Sequence, residues 1–175
     1  PLLIGFTTNT AFNGDHLRAS IYVGTPSIPA DSVYGVAFTF AFDTNVVISN
    51  KAFIQPVNTN WLATPNVDGL AMSFNQYNSI GELHYALVRT NHTIKSGNGP
   101  VAYADMDIQT GNIAGKGNQR KYYDFITHLK NIRIVDLQGN EKSYTLGSDT
   151  VQINYFTGIS QLKIGRASCR ERVSS

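Results

Sequence analysis

Strict alternation of residue types is the feature that most constrains how this chain can fold. In the clearest run, residues 34–42, every second position carries a large apolar side chain: Tyr34, Val36, Phe38, Phe40 and Phe42. The positions between them carry glycine, alanine or threonine. Successive side chains of a β-strand point to opposite faces, so this run predicts a strand with one buried face.

The same period of two recurs along most of the chain, and turn residues separate the repeats. Asn13-Gly14-Asp15 and Gln138-Gly139-Asn140 are typical of tight turns between strands. About nine or ten short strands with few helical windows predict an all-β fold, a two-sheet antiparallel β-sandwich. The other predicted strands lie near residues 2–7, 17–23, 46–55, 69–75, 82–87, 102–108, 128–137, 142–145 and 150–156.

One segment does not follow the alternation. Residues 109–125 contain three glycines within seven positions, followed by a polar and aromatic stretch. We predict a loop here, with one helical turn around Tyr122 to Thr127.

Composition and charge exclude several classes of protein. No window approaches 18 uninterrupted apolar residues, so no transmembrane helix and no membrane insertion are expected. Charged residues make up 15%, which is low for a coiled coil. The net charge of +2 comes from the last ten residues, because 11 basic and 11 acidic residues remain without them. A neutral body lacks the concentrated basic face that nucleic-acid binding requires.

The C-terminal tail is expected to be separate from the domain. We predict one β-sandwich domain over residues 1–163 and a disordered tail over residues 164–175, which is typical of non-native read-through into vector sequence. Cys169, the only cysteine, lies in this tail, so disulfides and thiol catalysis are excluded from the domain. The chain begins at Pro1, so we expect it to be a fragment whose signal peptide, if any, lies outside it.

No catalytic motif is found, but two aspartates share a predicted strand. Asp105 and Asp107 are two positions apart and therefore on one face, about 7 Å from each other. Three interpretations stay open: a solvated pair on an outer face, a calcium site completed by Asp124 or loop carbonyls, and a paired-carboxylate hydrolase. The scarcity of glutamate outside the tail, with only Glu82 and Glu141, disfavours the hydrolase. No other cofactor is predicted.

Aromatic side chains raise the alternative of a polysaccharide partner, because flat rings stack on sugar faces. Trp61, the sole tryptophan, and Tyr77 are the candidates that we single out. For Trp61 we favour burial at the edge of the sandwich over ligand stacking.

Several stretches resemble cohesin-like domains. Residues 31–43, DSVYGVAFTFAFD, are similar to the early Val-Tyr-Gly strand of those domains. Residues 81–86, GELHYA, and 99–106, GPVAYADM, are similar to later strands of the family, and Gly139-Asn140-Glu141 resembles the turn of its penultimate hairpin. The resemblance covers about residues 15–156 and is strongest to the variants in large secreted bacterial surface proteins.

The resemblance implies a jelly-roll-like sandwich of the cohesin and cellulose-binding-module superfamily that carries out no catalysis. It implies adhesion or protein contact in a secreted or cell-surface bacterial protein. Cohesins bind dockerin modules through one sheet face, and the corresponding outward positions here are Ser73, His84, Ala86 and Arg133, with Val88 beside them. A carbohydrate-binding module, with or without calcium, and a purely structural spacer are the alternatives. The oligomeric state is not predicted.

Overall fold

The computed structural model describes residues 1–112 and 119–157. Short 3₁₀ turns at Ser49–Lys51 and Asn78–Ile80 are the helical elements of this part of the chain. No helix within it has the length and apolar character that crossing a membrane requires. Its strands are β1 (Leu2–Phe6), β2 (Thr10–Ala11), β3 (His16–Val23), β4 (Ala30–Val33), β5 (Gly35–Ala41), β6 (Phe53–Pro56), β7 (Gly69–Phe74), β8 (Glu82–Arg89), β9 (Lys95–Gly97), β10 (Gly99–Asp107), β11 (Gln119–Ile126), β12 (His128–Val135), β13 (Leu146–Gly147) and β14 (Thr150–Thr157).

Two larger sheets form the sandwich. The five-stranded sheet has the order β13-β1-β3-β10-β6, and the four-stranded sheet has the order β12-β5-β8-β7. A three-stranded sheet, β11-β14-β2, and the two-stranded pair β4-β9 complete the described part. The all-β sandwich predicted from the sequence is confirmed. Pairing is not antiparallel throughout, however, because β1 runs parallel to β13 and β2 runs parallel to β14.

The core lies between the inner faces of the two larger sheets, as the alternation predicts. Phe40, Leu83 and Tyr85 face inward from the four-stranded sheet, and Ile21 and Met106 face inward from the five-stranded sheet, each at most 2% exposed. Burial of such side chains stabilises the fold by about 25 cal/mol per Å² of apolar surface. The Tyr85 hydroxyl also donates a hydrogen bond of 2.9 Å to the carbonyl of Val101, which joins the two sheets through the core.

The prediction of a helical turn around Tyr122 to Thr127 is wrong. Residues 119–126 form β11, which pairs with β14 over its full length. The alternation is present here, since Phe125 and Thr127 are buried whereas Tyr122 and Asp124 are exposed. The preceding glycines obscured this period in the sequence. Residues 113–118 of the predicted loop lie outside the described residues, as does the predicted tail at 164–175.

Two other predicted strands have different bounds. The strand expected at 46–55 is a 3₁₀ turn at Ser49–Lys51 followed by β6, and Val47 forms only an isolated bridge to Ile108. The strand expected at 142–145 begins later, at Leu146. Of the fourteen described strands, β2, β4, β9 and β13 have two to four residues each, too short for a period of two to reveal them.

Candidate functional site

The outer face of the four-stranded sheet is apolar and exposed. Leu70, Met72 and Phe74 of β7 are 50%, 45% and 45% exposed. They lie directly opposite Val88, Ala86 and His84 of β8, and cross-strand partners share a face of the sheet. We call this surface the apolar face, defined by Leu70, Met72, Phe74, Ala86, Val88, Ala37 and Val135.

Small residues make a shallow hollow on the apolar face. Ala37 pairs with Ala86 across β5 and β8, and Arg133 of β12 pairs with Ala37 on the other side. The hollow measures about 190 Å³, and Val88 and Val135 also line it. Without long side chains on the central strands, another molecule can approach the sheet closely here.

Hydrogen-bonding side chains border one end of the apolar face. Thr39 Oγ1 lies 2.8 Å from His84 Nδ1, and Asn131 Nδ2 donates to the same hydroxyl oxygen at 3.3 Å. Lys130 Nζ lies 3.4 Å from Glu82 Oε1, whose carboxylate also lies 4.0 Å from His84 Nε2. Since a threonine hydroxyl can accept one hydrogen bond while it donates another, Thr39 joins β12 to β8 through this network.

The structure brings four of the predicted binding residues to this surface. His84, Val88 and Arg133 face outward as expected. The Arg133 side chain is 73% exposed and pairs with Glu141, with its Nε 3.3 Å from Oε1. Tyr77 lies at the polar end, where its ring meets that of His84 edge-on at a centroid distance of 5.2 Å.

Ser73 lies on the opposite side of β7. Its cross-strand partner is Tyr85, which is buried, so Ser73 points toward the inner face rather than outward. It is nevertheless exposed, because β7 is the edge of its sheet. The outward positions on β7 belong to Leu70, Met72 and Phe74.

Trp61 does not lie on the apolar face either. Its ring is packed closely on two glycines: a side chain at Gly97 would meet Trp61 Cε3 at 2.8 Å, and one at Gly99 would meet Cδ1 at 3.1 Å. Its Nε1 is buried without a hydrogen-bond partner among the described residues. The close packing places Trp61, which is partly buried, at the β9–β10 connection and against the hydrophobic core.

Asp105 and Asp107 lie together on the outer face of the five-stranded sheet, but Asp105 is covered. Its side chain is fully buried, whereas that of Asp107 is 33% exposed. Arg18 donates to both carboxylate oxygens of Asp105, from Nε at 2.7 Å and Nη2 at 3.2 Å. Gln55 Nε2 donates to Oδ2 at 2.7 Å, and the Arg18 guanidinium also covers the Tyr103 ring at 4.9 Å.

His16 bridges the two carboxylates. Its Nδ1 lies 2.9 Å from Asp107 Oδ1, and its Nε2 lies 3.1 Å from Asp105 Oδ1. Ionised carboxylates only accept hydrogen bonds, so both ring nitrogens must carry protons for both bonds to form. The hydrogen bond with Asp107 is the largest cause that raises the pKa of His16, in keeping with an imidazolium at this position.

The same contacts keep both carboxylates ionised. Burial alone raises the pKa of Asp105, but hydrogen bonds from Arg18, His16 and Gln55 outweigh it and hold that pKa below its usual value. The hydrogen bond from His16 lowers the pKa of Asp107. With its oxygens already bonded to cationic and amide groups, the pair is internally neutralised.

Asp124, the third predicted calcium ligand, belongs to another sheet. It lies on β11 and lines a cleft with Asp43, Tyr123 and Lys130. Within residues 1–112 and 119–157, no group of three or more acidic, histidine or cysteine side chains could hold a metal ion. The structure therefore places the two strand aspartates together and Asp124 apart from them.

Sequence reasoning missed the apolar residues of β7. Leu70, Met72 and Phe74 alternate with Ala71 and Ser73, so the period of two would place the larger set inward. The structure reverses this orientation, because β7 is paired in the register that sets its large residues opposite the outward residues of β8. No local signal in the sequence shows which face of an edge strand is covered.

Solved structures of cohesin modules share this fold. The chain matches the second type II cohesin module from the ScaA scaffoldin of Acetivibrio cellulolyticus with a TM-score of 0.60 and 11% identity, over 90% of this chain and 96% of that one. It matches a type I cohesin–dockerin complex from Clostridium thermocellum with a TM-score of 0.61 and 11% identity, over 87% and 92%.

A third match is a type II cohesin from Bacteroides cellulosolvens, with a TM-score of 0.55 and 13% identity, over 87% of this chain and 98% of that one. The sequence matches no protein-family model and no curated protein. At these identities, structural likeness is evidence for the fold rather than for a ligand. The cohesin-like fold predicted from the sequence is confirmed, and this chain has the β-sandwich fold of cohesin modules.

Proposed function

We propose that this chain is a non-catalytic module that binds a protein partner through the apolar face. The observation that carries the proposal is the exposure of Leu70, Met72 and Phe74 on one side of a regular sheet, next to a hollow floored by alanines. Soluble proteins rarely expose contiguous apolar surface of this kind unless it binds another molecule.

The arrangement suits a protein better than a small ligand. The hollow is shallow and small, whereas the apolar side chains span the strand from Leu70 to Phe74, about 14 Å. The network of Thr39, His84 and Glu82 borders the apolar centre with hydrogen-bonding groups. An apolar centre with a polar rim is the usual anatomy of a protein–protein interface.

The solved neighbours supply the chemical class of partner. One of them is a cohesin in complex with a dockerin module. We propose that the partner of this chain is likewise a compact module of the dockerin type, presenting its own apolar residues to the apolar face. We also propose a secreted or cell-surface location, because the type II neighbour from Acetivibrio cellulolyticus comes from a cellulosomal scaffoldin. Polysaccharide binding, with or without calcium, and a spacer role stay predictions from the sequence.

A panel of purified dockerin modules tests this function. With the chain immobilised, we expect saturable binding of at least one type I or type II dockerin in biolayer interferometry. Val88→Ala should weaken that binding, because Val88 lines the hollow. His84→Ala should weaken it less, because His84 belongs to the polar rim. Failure of every dockerin in the panel to bind would reject the dockerin-type partner.

A further inference from the structure

The open edge of β7 carries an inference that does not depend on the proposed function. The backbone N–H of Arg89 bonds to the carbonyl of Tyr34, at 3.0 Å, on the β5 side of β8. Neighbouring residues of an antiparallel strand direct their backbone groups to alternate sides, so Val88, Ala86 and His84 face β7. Their partners Leu70, Met72 and Phe74 therefore bond to β8.

The backbone groups of Ala71 and Ser73 consequently point away from the sheet. Gly69 follows the same alternation, since its N–H bonds to the carbonyl of Thr64 in the adjoining turn. Apart from the bridge of Gly69 to Pro65, β7 pairs with β8 and with no other strand of the described residues. Two N–H groups and two carbonyls are thus left at the edge, next to an exposed serine.

Two other edge strands of the larger sheets, β6 and β12, carry features that discourage pairing, and β7 does not. On β6, Pro56 lacks a donor and the N–H of Ile54 bonds to Asn75. On β12, Lys130 and Arg133 flank a bulge. Charges, prolines and bulges are the usual protection of an edge strand. The sequence of β7, Gly-Leu-Ala-Met-Ser-Phe, contains no charge and no proline.

The geometry points to a second copy of this chain as the occupant of this edge. We propose that two copies pair β7 antiparallel to β7 about a two-fold axis at Met72. Ala71 then lies opposite Ser73 of the second copy, and Ser73 opposite its Ala71. Each of these two pairs exchanges two N–H to carbonyl hydrogen bonds, so four bonds form in total. All four outward backbone groups of each copy are satisfied.

Side chains and charge support the same register. Leu70 comes to lie opposite Phe74 of the second copy, and Met72 lies beside Met72, so apolar residues that are half exposed pair across the axis. A strand without charge meets no like-charge repulsion from its own copy, whereas pairing β12 with itself would bring lysine and arginine side chains close together. The result is an eight-stranded sheet whose two apolar faces are continuous, a closed two-fold assembly.

Cysteine cross-linking tests the register in a Cys169→Ser background. Met72→Cys places two cysteines across the axis at a non-hydrogen-bonded pair, where Cα atoms lie about 4.5 Å apart, within the range that a disulfide spans. We expect oxidation to convert this variant to covalent dimer. Leu70→Cys alone should form no covalent dimer, since the two cysteines would lie about 13 Å apart in the pair of copies. A mixture of Leu70→Cys and Phe74→Cys chains should form the mixed dimer. Equal cross-linking of Met72→Cys and Leu70→Cys would overturn the register.

Sedimentation equilibrium of the unaltered chain tests the association itself, without any partner protein. We expect a reversible monomer–dimer equilibrium. Ala71→Pro should raise the dimer dissociation constant by about tenfold or more, because it removes two donors of the dimer and no hydrogen bond to β8. Ile28→Lys, a substitution of an exposed residue in the loop between β3 and β4, is the matched control and should leave the constant unchanged. A monomer at every concentration would overturn the proposal, and the dockerin panel would stand unaffected.

Discussion

Arg18 neutralises a carboxylate that is fully buried: its Nε lies 2.7 Å from Oδ1 of Asp105. Asp105 has no exposed side-chain surface, whereas 42% of the Arg18 side chain is exposed. The Arg18 guanidinium therefore shields the Asp105 carboxylate from solvent on the outer face of the five-stranded sheet. A solvated pair of acids, one interpretation of this alternation, would leave both side chains in water.

Removal of the Arg18 charge should destabilise the fold. We expect Arg18→Gln to lower the free energy of unfolding by about 2–3 kcal/mol, because a buried carboxylate loses two charge-assisted hydrogen bonds. Urea unfolding followed by circular dichroism measures the change. Arg133→Gln is the matched control, since its pair with Glu141 is exposed and should contribute less than about 1 kcal/mol. Equal effects of the two substitutions would show that Asp105 does not depend on Arg18.

The His16 bridge should make stability depend on pH. Its pKa in the folded chain lies above the ordinary value of 6.5, chiefly through the hydrogen bond to Asp107. A raised pKa means that the folded state binds the proton more tightly, so the stabilisation is complete below pH 6.5 and is lost as the pH rises through the folded pKa.

As the pH rises from 6.5 through the folded pKa of His16, we expect the unfolding free energy of the unaltered chain to fall by about 0.5 kcal/mol more than that of His16→Gln. The difference is small because the imidazole is half exposed to solvent. Denaturant titrations at a series of pH values measure the difference between the two proteins. Identical pH profiles would contradict the imidazolium bridge. The lowered pKa of Asp107 acts in the opposite direction, and its stabilisation is lost as the pH falls below about 4.

Substitutions at Gly81 and Gly14 distinguish the energetic cost of an unfavourable backbone conformation from the cost of a steric clash. Both have a positive φ, 78° and 89°. A side chain at Gly81 would meet the carbonyl oxygen of Phe42 at 2.2 Å, whereas one at Gly14 would meet nothing within 4 Å. We expect Gly14→Ala to cost about 1 kcal/mol of unfolding free energy, from backbone conformation alone. Gly81→Ala should cost about 3 kcal/mol or more, since the backbone at Phe42, directly after β5, must move. Thermal unfolding compares the two, and similar losses would contradict the contact at Phe42.

Local period explains why much of the sandwich could be predicted. Phe38 and Phe40 point inward because a period of two leaves one face for large apolar groups, and this rule needs no knowledge of the partner strand. The outward placement of His84 and Val88 follows from the same rule. The local period does not predict which strands pair, because the parallel pairs of β1 with β13 and β2 with β14 join residues more than 140 positions apart.

The candidate site was only partly predictable, because it too depends on which strands pair and in which register. Ser73 was expected on the outer face, but the orientation of β7 depends on its register with β8, which local sequence does not encode. Similarly, the spacing of Asp105 and Asp107 shows that they share a face but not that Arg18, Gln55 and His16 converge on Asp105 from neighbouring strands. Long-range pairing decides both the position of the apolar face and that of the charged cluster.

The most direct measurement of the central claim is the affinity of a bound dockerin for a chain with a charge in the apolar face. Ala86→Asp places a carboxylate in the hollow, and Ile28→Asp places one at an exposed position outside the apolar face. By isothermal titration calorimetry, we expect Ala86→Asp to weaken binding by about a hundredfold, because the charge would be desolvated without a partner. Ile28→Asp should leave the affinity unchanged. Equal affinities of the two variants would contradict protein recognition through the apolar face.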